Sequence, residues 1–337
     1  MKRSVIKGTG RFIPSRCVTN DDLSKMMDTN DEWIQQRTGI KTRYWIPEGE
    51  IVGSSDLALE ASKIALDNAG WQPEDIDLII FATLSPDIFF PGSGCLLQTK
   101  LGLSDTPALD IRQQCTGFIY AMSTADAYIR SGMYNRILVV GAEVHSTGLD
   151  KTTAGRDVAV LFGDGAAAAC VEAVETDANI GVLGSVLKAD GKFAEKLMLE
   201  LPGSKYPERI NAEMLASGGQ FPSMDGTRIF KLALRKLPEV TLEVLEQAGM
   251  SLDDIDMIIP HQANLRINEA YQKTLKIPEE KIFNNIQKYG NTTAATIPLA
   301  LDETIEQGLV DPKKSTVLFV ALGAGLTWAA MIHRFGE

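Results

Sequence analysis

Twice along the chain an amphipathic stretch runs into a glycine, a short acidic segment and a wholly apolar one. The first copy is ALDNAGWQPEDIDLIIFATLS, beginning at Ala65, and the second is VLEQAGMSLDDIDMIIPHQAN, beginning at Val244. The pattern predicts the end of a helix, a glycine stop, an acidic turn and a buried strand. Ala69 and Ala248 lie 179 positions apart, as do Asp75 and Asp254. A second apolar pair, ILVVGAE from Ile137 and VLFVALG from Val317, recurs at an offset of 180. Between these anchors each half holds a helical pattern, ending at Gly132 in one and Gly308 in the other, 176 positions apart. Carried back to the helix starts, that offset sets Cys115 opposite Asn291, with the four extra residues assigned to the loop after Gly308.

Strands alternating with helices in each half predict an α/β fold with mostly parallel sheets covered by helices. The halves are expected at residues 1–174 and 175–337. The stretch from Lys188 to Met224 interrupts the pattern with Pro202, Gly203, Pro207, Gly218, Gly219 and Pro222, and reads as an insertion or loop near the surface or the pocket mouth. The uncharged run from Thr316 to Ile332 is short of a bilayer span and carries Gly-Ala-Gly at its middle, so it reads as two strands joined by a tight turn.

The 337 residues, 45% hydrophobic and 23% charged, suffice for a large core. A formal charge of -11 without a basic block argues against a nucleic-acid partner. Lys7 and Gly8 interrupt the first apolar run before a signal-peptide core forms, and no membrane segment is predicted, so the chain is expected in the cytoplasm. The four cysteines are scattered, with no CxxC pair and three histidines in all, which supports neither a disulfide framework nor a zinc site.

Cys115 lies in LDIRQQCTGFIYAMSTADAYIRSG, where Ala108 to Ile111 reads as a strand and Phe118, Met122 and Ala125 as a buried helix stripe. A thiol at a strand-to-helix junction meets unpaired N–H groups and the positive end of the helix dipole, which favour the thiolate. A nucleophile and an inert buried thiol both fit this position. His261 follows the strand DMIIP, at the carboxyl end where open α/β folds place ligands. His145 and His333 read as core imidazoles, whereas His261 stands in a polar cluster with Asn264 and the loop Asn291-Thr292-Thr293. Asp164, in FGDGA, reads as a turn-forming residue.

DEWIQQRTGI from Asp31, QQCTGF around Cys115, LFGDGAAAA from Leu161, PHQANLRI, YGNTTAATIP and GAGLTWA together resemble the β-ketoacyl-[acyl carrier protein] synthase III family. The resemblance runs over essentially the whole chain and implies a duplicated thiolase-like fold. It implies an acyltransferase of fatty acid initiation. Cys115 takes an acyl group from acyl-CoA, and decarboxylative Claisen condensation with malonyl-acyl carrier protein gives a 3-oxoacyl product. His261 and Asn291 would bind the thioester carbonyl, and the backbone N–H groups of Cys115 and Ala324 would form a second oxyanion hole. Such a histidine keeps its proton on Nε2 in a site that holds it neutral.

By the same resemblance Trp33 and Arg37 embrace the adenine of coenzyme A, with Arg156 near its phosphates. Phe230 and Asn264 line the pantetheine tunnel. Phe90 caps the partner's acyl pocket in a homodimer, and Leu322 stands beside that pocket. Arg266, Lys231 and Lys273 are expected to dock the acidic carrier protein, and no cofactor is implied. Arg112-Gln113-Gln114 and Leu322 depart from the family's commoner residues. Similar departures occur in relatives serving quinolone, polyketide or pigment pathways or head-to-head condensation of long chains, so a condensing enzyme of secondary metabolism is the alternative. A Cys-His-Asn hydrolase is the rival from another class, but the cysteine signature CGSCW is missing and a doubled architecture has no place in that fold. A non-catalytic scaffold would be favoured by loss of Cys115 or His261, and both are present.

Overall fold

The structure, a computed structural model, describes residues 1–336, and the last residue of the expected second half, Glu337, lies outside them. The repeat seen in the sequence is a structural repeat. Helix Ser54–Ala69 ends on Gly70 at φ 68°, and a 3-10 turn, Pro73–Asp75, leads into strand Leu78–Ala82. Helix Gly226–Ala248 ends on Gly249 at φ 64°, and the turn Leu252–Asp254 leads into strand Met257–Pro260. Left-handed backbone at both stops is what glycine admits without a Cβ clash.

One sheet orders its strands Lys2–Phe12, Gly165–Glu175, Arg136–Glu143, Leu78–Ala82 and Ala108–Ile111. The other runs Met257–Pro260, Thr316–Gly323, Thr327–Arg334 and Gly181–Ala189. Parallel pairing joins Leu78–Ala82 to both its neighbours and Met257–Pro260 to Thr316–Gly323. The remaining pairings in these two sheets are antiparallel, which narrows the expectation of mostly parallel sheets to a parallel segment in each. The tight turn expected near Gly323-Ala324-Gly325 is one cause, because strands joined by so short a link can only run antiparallel.

Alternation along the strands sorts their side chains into layers. Leu78, Ile80 and Ala82 join one core with Phe118, Met122 and Ala125 of helix Gly117–Ser131, and with Ile297, Ala300 and Leu301 of helix Thr296–Glu306. Met257, Ile259, Val317 and Phe319 of the second sheet enter the same core, so these two helices lie between the sheets. Ile79 and Phe81 face helix Ser54–Ala69 on one outer side. Ile258, Leu318 and Val320 face helix Gly226–Ala248 on the other. The insertion after Ala189 forms a 3-10 segment, a short helix Ala212–Ala216 and a two-stranded ribbon, with Leu199, Ile210 and Leu215 exposed. Among the described residues no helix is long and apolar enough to cross a membrane.

The pairing of Cys115 with Asn291 does not survive. Each central helix is preceded by a 3-10 turn, Gln114–Thr116 in one half and Thr293–Ala295 in the other, and each turn carries a left-handed non-glycine residue, Gln114 at φ 45° and Thr293 at φ 48°. These residues are 179 positions apart, so Cys115 corresponds to Ala294. Helix Thr296–Glu306 has 11 residues against 15 in Gly117–Ser131, while the loop after Gly308 is longer. The two length changes nearly cancel, and the 176 offset holds only between them.

Gly8 tests the packing of helix Ser54–Ala69 on the first sheet. A methyl group there would lie 2.5 Å from the Ala69 nitrogen and 2.6 Å from the Ala65 oxygen, both backbone atoms. Gly8→Ala is expected to destabilise the fold by about 1–3 kcal/mol or more, read as a lowered Tm. Gly191→Ala, where nothing stands within 4 Å, is expected to change it by less than about 0.5 kcal/mol.

Candidate active site

Cys115 is buried in its 3-10 turn at the start of helix Gly117–Ser131. The end of strand Thr316–Gly323 comes so close that a methyl at Gly323 would lie 2.7 Å from Cys115 Cβ and 3.1 Å from Sγ. The turn is stitched to the neighbouring Gly-Ala-Gly link by the hydroxyl pair Thr116 and Thr327, 2.8 Å apart. The backbone N–H groups of Cys115 itself and of Ala324 hydrogen-bond toward the sulfur, and both lower its pKa. The opposite effects are larger. Burial first, then the negative charge of Glu143, push the thiol up to about 12. The thiolate expected from the helix dipole is therefore not the resting form, because a sulfur anion here would forgo its hydration.

The polar residues come from the other half. His261 directly follows strand Met257–Pro260, its backbone N–H donating to the Val320 carbonyl at 2.8 Å. Its Nδ1 lies 2.7 Å from Thr296 Oγ1, and its Nε2 is buried without a protein partner. Burial lowers the imidazole pKa to about 3, so the ring is neutral, as expected for a donor of this kind. Asn291 is buried too. Its Oδ1 accepts from Thr293 N–H at 2.8 Å, which turns the amide NH₂ away from the turn. The turns themselves touch: a methyl at Gly117 would lie 3.2 Å from Ala294 Cβ. Thus the thiol, the imidazole on Thr296 and the amide on Thr293 belong to elements packed at the contact between the two halves.

Sequence reasoning passed over three contributors. Glu143, fully buried at the end of an apolar strand, accepts from the N–H groups of Leu84, Ser85 and Ala294 and from the hydroxyls of Thr83 and Ser85. Burial raises its pKa to about 7 against the pull of these donors. A carboxylate inside ILVVGAE was the available signal. Thr296 and Gly323 gave none beyond helix and turn composition. Asp164 is structural, as expected: its buried carboxylate accepts from the N–H groups of Ile46, His145 and Ser146.

Trp33 lies between two guanidinium groups, Arg37 at 4.3 Å and Arg156 at 5.0 Å from the ring centroid, so these three residues come together. Arg156 also donates to the Asp28 carbonyl at 2.6 Å. The Asn264 amide is committed locally: Oδ1 caps its helix through Arg266 N–H and Nδ2 donates to the Arg37 carbonyl. Arg266 is exposed, its guanidinium 5.6 Å from the Phe230 ring, and Lys231 and Lys273 are exposed on their helices. Leu322 is buried in the second outer core, while Phe90 is 74% exposed on this chain, beside exposed Ile88 and Phe89. Among the described residues no three His, Cys, Asp or Glu side chains are grouped to hold a metal.

Sequence models of the 3-oxoacyl-[acyl-carrier-protein] synthase III family match residues 109–191 and, for its C-terminal part, residues 245–335. The chain belongs to this family. It is a condensing enzyme of the transferase class. It is 45% identical over 332 residues to a beta-ketoacyl-[acyl-carrier-protein] synthase III of Caldanaerobacter subterraneus subsp. tengcongensis, covering 98% of each chain. A synthase III of Neisseria meningitidis is 42% identical over 336 residues, 99% of this chain and all of the other. The crystal structure of 3-oxoacyl-[acyl-carrier-protein] synthase III from Aquifex aeolicus VF5 superposes with a TM-score of 0.88 at 41% identity, covering 99% of this chain and 100% of that one. The family confirms the duplicated thiolase-like fold, and the hydrolase rival falls with it.

A neutral resting thiol has a measurable consequence. Below its pKa the reactive thiolate fraction grows about tenfold per pH unit. Alkylation of Cys115 by iodoacetamide, followed by mass mapping to separate it from exposed Cys17 and Cys95, is expected to climb through pH 9 without a plateau. Glu143→Gln removes a negative charge from the sulfur's surroundings and is expected to speed alkylation at pH 8. A plateau near pH 7 would show a thiolate already formed.

Proposed function

We propose that this enzyme begins fatty acid synthesis by joining an acyl group from acyl-CoA to malonyl-acyl carrier protein. In the first half-reaction Cys115 Sγ bonds to the acyl carbon, the bond to the coenzyme A sulfur breaks, and the departing thiolate takes up the cysteine's proton. The N–H groups of Cys115 and Ala324 receive the oxyanion of the tetrahedral intermediate. The high thiol pKa fits deprotonation coupled to this attack. In the second half-reaction the malonyl C–C bond breaks, carbon dioxide leaves, and its electron pair forms an enolate. The enolate carbon attacks the acyl carbonyl, the bond to Cys115 Sγ breaks, the released thiolate takes a proton from water, and the 3-oxoacyl group remains on the carrier protein.

His261 Nε2 and the Asn291 amide donate to the enolate oxygen as charge develops there. The observation that carries this assignment is the bare, buried Nε2 of His261, on a ring held by Thr296 next to the turn Thr293–Ala295 that packs against the nucleophile's turn. Such a group is costly to keep unless a ligand satisfies it. Coenzyme A binds with its adenine at Trp33 and Arg37 and its phosphates toward Arg156, an aromatic and cationic cluster suited to stacking and ion pairing. Its pantetheine arm passes Phe230 and Asn264, the latter acting through the backbone it braces. Arg266, Lys231 and Lys273 attract the acidic carrier protein. Leu322 borders the acyl pocket and Phe90 closes the pocket of a second copy, which would cover the apolar run Ile88-Phe89-Phe90. The units carrying nucleophile and donors are residues 1–174 and 175–337, and the enzyme works in the cytoplasm without a resident cofactor.

The half-reactions separate by mutation. Asn291→Ala is expected to leave the acyl adduct on Cys115 detectable by intact mass while lowering carbon dioxide release from the malonyl thioester on the order of a hundredfold. Normal condensation with acylation lost would instead place Asn291 in activation of the thiol. Arg266→Glu is expected to raise KM for malonyl-acyl carrier protein severalfold and leave that for acyl-CoA unchanged. Equal loss with both substrates would refute the docking role.

A further inference from the structure

One nitrogen of His261 is accounted for and the other is bare. Nδ1 lies 2.7 Å from Thr296 Oγ1, and Nε2 is buried without a protein partner. A neutral imidazole carries a single ring proton, so its location decides whether Nε2 meets the substrate as donor or acceptor. The matter turns on one hydrogen, that of the Thr296 hydroxyl, which has two acceptors in reach: His261 Nδ1 at 2.7 Å and the Thr293 carbonyl at 2.9 Å.

Two features favour the imidazole. The Thr293 carbonyl already accepts the backbone N–H of Thr296, which closes the 3-10 turn, whereas Nδ1 has no second partner among the described residues. The contact at Nδ1 is the shorter one, below the roughly 2.9–3.0 Å usual for an N–H donor to oxygen. Thr296 itself is 2% exposed at the first position of helix Thr296–Glu306, so water does not compete for its hydroxyl.

We infer that Thr296 is a positioning residue that donates its hydroxyl hydrogen to His261 Nδ1 and thereby keeps the single imidazole proton on Nε2. The inference rests on the reading of His261 as a donor to the thioester oxygen and adds how that donor state is held. Burial, which keeps the ring from taking a second proton, leaves the tautomer as the remaining variable. The hydroxyl of buried Thr296 answers it from behind the ring's Nδ1 edge.

The enzyme has three histidines, so ¹⁵N labelling of the imidazoles gives a spectrum in which the His261 signals are those lost in His261→Ala. At pH 7 the wild-type spectrum is expected to show His261 Nδ1 as the nitrogen bearing a lone pair and Nε2 as the one bearing hydrogen. Thr296→Val keeps the branched shape without the donor. It is expected to move both signals toward the opposite tautomer and to lower kcat for carbon dioxide release about ten- to a hundredfold, with the acyl adduct on Cys115 still formed. Thr296→Ser, which restores a hydroxyl, is expected to recover both the spectrum and the rate. A wild-type ring with its proton on Nδ1 overturns the inference whether or not any variant folds. An unchanged spectrum in Thr296→Val overturns it as well, whereas a changed spectrum with normal carbon dioxide release would count against the donor reading alone. His261→Ala with an undiminished rate would sink the donor reading itself and leave the tautomer assignment standing.

Discussion

The two halves of this enzyme meet so closely at the site that side chains are excluded where the elements cross. A methyl at Gly323 would lie 2.7 Å from Cys115 Cβ, and one at Gly141 would lie 2.4 Å from the Ala294 carbonyl. Each 3-10 turn therefore rests on the end of a central strand belonging to the other half. This contact brings Ala324 N–H onto the Cys115 sulfur and lets Glu143 reach Ala294 N–H. It also explains why the sheets need the helices Gly117–Ser131 and Thr296–Glu306 between them: the layers space the strand ends so that the turns interlock. A site built this way is held by the core, with little left to side-chain rotation.

The same closeness sets the electrostatics. Cys115, Glu143, His145 and His261 are all buried, and burial acts on each in the direction that disfavours its charge. The thiol and carboxyl pKa values rise and the imidazole values fall, so at neutral pH the thiol and both rings are uncharged and, of these four, only Glu143 near 7 is part-ionised. Donors aimed into so dry a space are worth more when an oxyanion forms, because no solvent competes and no reorganisation is needed. A low resting reactivity of the thiol is the accompanying cost.

How far the sequence carried depends on what kind of physics wrote each feature. Gly70 and Gly249 mark left-handed helix stops, and the acidic turns after them are capping devices, so the repeat was legible from local chemistry alone. His261 was legible as a polar residue ending an apolar strand, and Asn291 as part of a polar loop after a glycine. The correspondence of Cys115 was not, because a shortened helix and a lengthened loop offset one another and composition does not record where a helix loses a turn. The thiol's resting state was missed for another reason: a strand-to-helix junction announces itself in sequence, but how deeply a second half covers it does not. Thr296 and Glu143 work through contacts with residues 35 and 151 positions away, respectively. Nothing local distinguishes them from a helix threonine and a strand-end carboxylate.

The proposed mechanism uses two separate sets of donors, backbone N–H groups for the acyl-enzyme and side chains for the malonyl thioester. A crystal structure of the enzyme acylated on Cys115 tests that division directly. The thioester oxygen is predicted between the amide nitrogens of Cys115 and Ala324, within about 2.7–3.2 Å of both, with His261 Nε2 and the Asn291 amide left free. An acyl oxygen bound instead by His261 and Asn291 would contradict it, since the group that condenses would then occupy the place of its partner.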